Sequence, residues 1–167
     1  MRYNAEKNEI KITARELVFI ARRGVGATPP RDENEPIYAL SSKTSLSYPF
    51  EVSGYSFELE AEITDITEEG ISLTVPTDSS PKRPRKEITE QARGEGYIAA
   101  FIYSELYKKD GVRIDYTYKN ERTGEENEVF EIVKRKKLEN FFDKCTMSIK
   151  VYAKPEIERV TERIPSM

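Results

Sequence analysis

Between residues 88 and 119 the hydrophobic period of the chain changes once, from the repeat of a helix to that of a strand. Ile88, Ala92, Glu95, Ala99, Ile102 and Leu106 recur at spacings of three and four, which aligns them on one helical face. Five are apolar; Glu95, between Gly94 and Gly96, is the exception. Lys108, Lys109 and Asp110 close the helix and Gly111 breaks it. Val112, Ile114, Tyr116 and Tyr118 then alternate with Arg113, Asp115, Thr117 and Lys119, the pattern of a strand with one apolar face. The helix carries one charge on its buried face and feeds a half-buried strand.

The segments before this stretch supply more strands. Ile10 and Ile12 alternate briefly in a polar start. Thr13 and Glu16 have the spacing of a capping box. Leu17, Ile20 and Ala21 continue as an apolar stripe to Arg22, Arg23 and the stop at Gly24. Residues 24–47, with Pro29, Pro30 and Pro36, read as a loop. A strand begins around Tyr48 to Val52. Tyr55, Phe57, Leu59, Ala61 and Ile63 then alternate with Ser56, Glu58, Glu60, Glu62 and Thr64. Thr67 to Gly70 turns the chain, and Ile71, Leu73 and Val75 return, so that residues 55–75 are expected to form an antiparallel hairpin ending at Pro76. The hairpin and the strand 112–118 are expected in one sheet, under the helix from about 88 to 106.

Residues 77–87 form a Ser/Pro/Lys/Arg linker, in which Lys82, Arg83, Arg85 and Lys86 are the densest positive cluster. After the central strand, residues 120–125 turn the chain and 128–133 return as another strand. Leu138, Phe141, Phe142, Cys145, Ile149 and Tyr152 give a last amphipathic helix. The order is helix, two or three strands, helix, two strands, helix. It implies an α+β domain over residues 1–154 with a mixed, mostly antiparallel sheet and flanking helices, and a tail or linker over 155–167.

Composition narrows the chemistry. The chain has no histidine, which excludes Ser-His-Asp, Cys-His and histidine-metal sites. Its one cysteine, Cys145, excludes an internal disulfide and a multi-cysteine zinc site, and its place in a helical pattern reads as a small buried hydrophobe. Catalysis would fall to carboxylates, lysine or tyrosine, with magnesium or manganese. Net charge is −3, so any nucleic-acid contact needs a local basic patch. The start lacks the apolar middle of a secretory signal and no apolar run is long enough to span a membrane; the expected location is the cytoplasm.

The opening ITARELV helix, the hairpin, FIYSELYKKDGVRIDYTYKNERTGE and the helix LENFFDK together resemble the PD-(D/E)XK nuclease domain of the RecB type. More narrowly they resemble its version at the N-terminus of some bacterial DinG- or XPD-type helicases. IERVTERIPSM looks like a linker into a helicase body. The resemblance implies a restriction-endonuclease-like core and DNA as partner, with a helicase body in cis or in trans. It also implies a metal-binding Asp on one strand and a Glu-x-Lys on the next. Side chains two apart share a strand face, so Glu can hold the metal while Lys addresses the phosphate or water. Those positions fall at Thr64, Thr74 and Pro76, and the family's helical Gln and Tyr fall at Glu95 and Ala99. All five depart from the pattern.

The architecture is therefore expected without the chemistry: a non-catalytic module of a DNA-processing protein, with Glu95, Thr64 and Thr74 marking the old site. One alternative is an active magnesium- or manganese-dependent nuclease whose acids have moved to Glu60 and Glu62, helped by Glu95. Another is a protein-interaction domain with no nucleic-acid role. DNA contact is expected through Lys82, Arg83, Arg85, Lys86 and Arg93. No ATP-binding loop occurs, so this chain alone is not a helicase.

Overall fold

Thr13 is both the last residue of a strand and the cap of the first helix, and this double role starts the fold. In the computed structural model, which describes residues 1–23, 44–76, 90–119, 126–152 and 157, β1 (Arg2–Asn4) pairs antiparallel with β2 (Glu9–Thr13). α1 (Ala14–Arg23) follows without a break. The capping box forms as the sequence implies. The Glu16 amide donates to Thr13 Oγ1 at 3.1 Å, and the Thr13 amide donates to Glu16 Oε1 at 3.2 Å. Glu16 also holds the N-terminal ammonium of Met1 through its other carboxylate oxygen. Thr13→Ala removes the cap and is expected to lower stability by about 1 kcal/mol in chemical denaturation; no change would mean that packing alone holds α1.

β3 (Thr44–Val52) and β4 (Tyr55–Ile63) form the longest hairpin. Ser53 and Gly54, with φ of 53° and 83°, make the two-residue turn that matches strand twist. β4 also pairs parallel with β2. The first sheet thus runs β1-β2-β4-β3. Pro49 sits on β3, an edge strand, where its missing amide leaves no gap in a central ladder.

The chain then leaves this sheet. At Thr64 the backbone amide donates to Ser72 O at 2.8 Å, and β5 (Asp65–Ile66) pairs with β6 (Gly70–Pro76). The expected turn is present, with the Thr67 amide donating to Gly70 O at 2.8 Å. α2 (Glu90–Tyr107) crosses over to β7 (Gly111–Lys119), which is parallel to β6, and β8 (Glu126–Lys134) returns antiparallel. The second sheet runs β5-β6-β7-β8, and α3 (Arg135–Tyr152) completes the chain of elements.

The class is α+β, with mixed, mostly antiparallel strands and flanking helices. The expected single sheet is corrected to two. The expected hairpin of residues 55–75 pairs only at its tip, because β4 gives its length to β3 and β2 instead. β3 begins at Thr44, inside the stretch expected as loop; residues 24–43, 77–89 and 120–125 lie outside the described residues.

α2 ties the sheets together, touching β3 and β4 of one and β6 and β7 of the other, and packing on α1 and α3. It is buried nearly all round rather than on one stripe. Ala92, Ala99 and Ile102 of the expected face are buried, but so are Tyr97, Ile98, Ala100, Phe101 and Tyr103, while Leu106 is 52% exposed. Small residues permit this: a Cβ on Gly94 would lie 2.5 Å from Val18 Cγ1 of α1. The helix ends at a left-handed Lys108 (φ 54°), with the Lys109 amide donating to Ser104 O at 3.2 Å, so Gly111 opens the strand rather than breaking the helix.

Against the first sheet, Phe101 of α2 stacks on Phe142 of α3 at 4.3 Å, with Tyr48 and Phe50 of β3 edge-on to Phe142. Leu138, Cys145 and Ile149 are buried on the same helix, and burial pushes the Cys145 thiol up to about 12, as fits a core residue. Ile157 is also buried; the rest of residues 153–167 lies outside the described residues. Among the described residues no helix is long and apolar enough to cross a membrane.

Candidate functional site

Alternation decides which site residues can meet. On β4 the buried side chains are Phe57, Leu59, Ala61 and Ile63, and the helices pack on that face. Glu58, Glu60 and Glu62 therefore point the other way, and Thr64 lies in the bend just after β4. On β6, Ile71 is buried, so Ser72 and Thr74 share the outward face. Across the seam between the sheets, Thr64 Oγ1 and Thr74 Oγ1 meet at 2.8 Å, a hydrogen bond. The two positions expected to have carried the metal-binding acids are thus neighbours. Pro76 closes the same strand.

Glu60 and Glu62 stay on the solvent side. Glu60 accepts a hydrogen bond from Ser45 Oγ at 3.2 Å, Glu58 lies 3.8 Å from Lys11 Nζ, and Glu62 is exposed. Glu95 is on α2, on the opposite face of the first sheet, so it does not join them. Among the described residues no group of three or more Asp, Glu or Cys is placed to hold a metal ion.

Glu95 instead lies at the junction of α1 and α2. It is partly buried, and desolvation pushes its carboxyl up to about 6, against the opposing pull of a Gln91 hydrogen bond and the Arg15 charge. Gln91 is itself fixed, donating to Arg15 O at 3.1 Å and accepting from Arg22 Nη1 at 3.0 Å.

Of the expected basic patch, Lys82, Arg83, Arg85 and Lys86 lie outside the described residues. Arg93 is described and half exposed, with Nε 3.5 Å from Glu131 Oε1. It borders a cavity of about 460 Å³ among α1, α2 and α3, with Arg22 and Lys144 also at its wall and Val18, Tyr97 and Phe141 as apolar lining.

The sequence reading missed the polar cluster beneath this cavity. Glu131 of β8 points inward, sharing a face with Val129 and Val133. It accepts hydrogen bonds from the Tyr97 hydroxyl at 3.3 Å and the Tyr116 hydroxyl at 3.2 Å. Desolvation, then the Glu131 charge, raises the Tyr116 hydroxyl above its ordinary range, so it stays a donor. Gly96 makes room for it: a Cβ there would lie 2.5 Å from the Tyr116 hydroxyl oxygen. A glutamate in step with Val129 and Val133 was the available signal of a half-buried charge needing donors.

Chemically, the seam offers two hydroxyls satisfied by each other, and the inner cluster offers a carboxylate satisfied by two phenols and a guanidinium. No protein-family model matches the chain, and no curated protein matches it. Solved structures that match include one titled "Crystal structure of SSO0001", at 15% identity over 87% of this chain and 78% of that one, with a TM-score of 0.43.

Proposed function

We propose that the chain is a nuclease-like module without cleavage chemistry of its own, which positions DNA for a helicase or repair protein. The observation that carries this reading is the Thr64–Thr74 hydrogen bond. Two carboxylates at such a spacing repel and need a cation between them; two hydroxyls hydrogen-bond and need none. The order of helix, strands, crossover helix and strands is the expected one, but β4 and β7, expected in one sheet, lie in two, which weighs against the resemblance. The two threonines are half-buried at the junction of the sheets, and on this reading the nucleic acid passes along that junction. Magnesium or manganese belongs only to the alternative of an active nuclease, and the separation of Glu95 from Glu60 and Glu62 weighs against that alternative.

The test is fluorescence anisotropy with a labelled oligonucleotide across a salt series, with cleavage followed in manganese. Binding at low salt should weaken steeply as salt rises, with no cleavage. Changing Lys82, Arg83 and Arg85 to Ala should flatten the log–log slope by roughly 0.9 for each duplex phosphate that these side chains neutralise. Absence of binding at low salt would refute the reading, and cleavage abolished by Glu62→Ala would establish the nuclease with moved acids.

A further inference from the structure

β8 is an edge strand of the second sheet, nine residues long. Its outward face carries Glu128, Phe130, Ile132 and Lys134, all exposed, with Phe130 at 54% and Ile132 at 70%. Among the described residues no strand pairs with its outer edge, and exposed apolar side chains on such an edge form a template for another strand. Phe130 is also held ready: the Arg113 guanidinium lies 4.1 Å over its ring, and Arg113 is fixed by Asp115 at 3.2 Å. Among the described residues Glu128 and Lys134 form no ion pair.

We infer that this edge pairs with β8 of a second copy of the chain, antiparallel about a two-fold axis through Glu131. The order of the side chains selects the partner. An antiparallel two-fold about residue 131 sets Glu128 opposite Lys134 of the second copy and Phe130 opposite its Ile132, and the symmetry repeats both pairs. Every outward pair is then either opposite in charge or apolar on apolar. A register centred on Phe130 sets Glu128 against Ile132 and breaks this match. On the inward face Val129 meets Val133. Glu131 meets its own copy, the one opposed pair that works against the register; each carboxylate is offset by its own Arg93 at 3.5 Å and by the Tyr97 and Tyr116 donors. The pairing joins two four-stranded sheets into one of eight strands. It is independent of the DNA reading.

Sedimentation equilibrium of the full chain over a concentration series tests the inference. The wild type should show a monomer–dimer equilibrium. Glu128→Lys places like charges opposite one another at both ends and should raise the dissociation constant about tenfold. Lys134→Glu should do the same. The double variant E128K/K134E restores opposite charges in both copies and should recover the wild-type constant. These side chains are exposed, and circular dichroism of each variant should be unchanged. A wild type monomeric at every concentration overturns the inference and leaves the edge to a strand of another protein. A dimer indifferent to the single changes, or not restored by the double one, also overturns it.

Discussion

Replacing Gly70 by alanine is expected to destabilise the protein by about 3 kcal/mol, a large part of the stability of a domain this size. A Cβ at this position would lie 1.8 Å from the Arg113 carbonyl oxygen and 2.7 Å from its carbon. The obstacle is main chain in a paired strand, since Gly70 and Arg113 are register partners in the parallel ladder of β6 and β7. Retreat is blocked on the other side. The turn before Gly70 is fixed by Thr67 Oγ1, which accepts from the Gly70 amide at 3.1 Å, and by the Tyr103 hydroxyl, which donates to Thr67 O at 2.9 Å. Gly111→Ala is the matched control, because a Cβ there meets nothing within 4 Å. It should change stability by less than about 0.5 kcal/mol. Urea midpoints measure both; similar losses would mean that Gly70 is kept for something other than close approach.

Glu95→Gln is expected to stabilise the protein at pH 7 by up to about 2 kcal/mol, with the gain vanishing near pH 4. Burial raises the Glu95 carboxyl from 4.5 unfolded to about 6 folded. The folded state therefore binds the proton more tightly between these values. The favourable contribution of the protonated form is complete below pH 4.5 and is lost as pH rises through 6. Glutamine keeps a neutral amide at every pH, so the difference in melting temperature between the two proteins isolates this group from other titrations. Parallel melting curves from pH 4 to 7 would show that Glu95 is better solvated or better paired than its place between α1 and α2 implies.

What the sequence disclosed depended on how local the cause was. The Thr13–Glu16 cap and the Thr67–Gly70 turn are set by neighbours a few residues apart, and both were legible. Strand partners were not. The alternation of residues 55–63 shows that one face is buried, but not which strand lies alongside. The nearer-looking partner, 71–75, gave way to β3, whose Ser53–Gly54 turn lacks the usual Asn-Gly or Asp-Gly and whose first residues fell in the stretch read as loop. α2 was read as one stripe although Tyr97, Ile98, Phe101 and Tyr103 off that stripe are also buried; Gly94 and Gly96 let α1 and β7 come close on its other sides. At the candidate site the resemblance singled out Thr64 and Thr74, and the sheet junction brings them together. The parity of β4 turns Glu60 and Glu62 away from the helices and so separates them from Glu95. β8 was read as a strand over 128–133, but which of its faces is buried was not legible, because Val129 and Val133 on one face and Phe130 and Ile132 on the other give both an apolar character.

The passage of the chain at Thr64 from one sheet to the other bears on how the molecule assembles. Each sheet holds a hairpin or local antiparallel pair that closes over a short length of chain, and one parallel pair that does not. Thr13 must find Glu60 and Gly70 must find Arg113 across long stretches of sequence, and the entropy of closing those loops has to be met before the ladders return anything. α1 lies within the first loop and α2 within the second, so each sheet is completed by docking its own helix. α2 touches both sheets. Its docking is therefore expected to couple two closures that the strands alone would make separately.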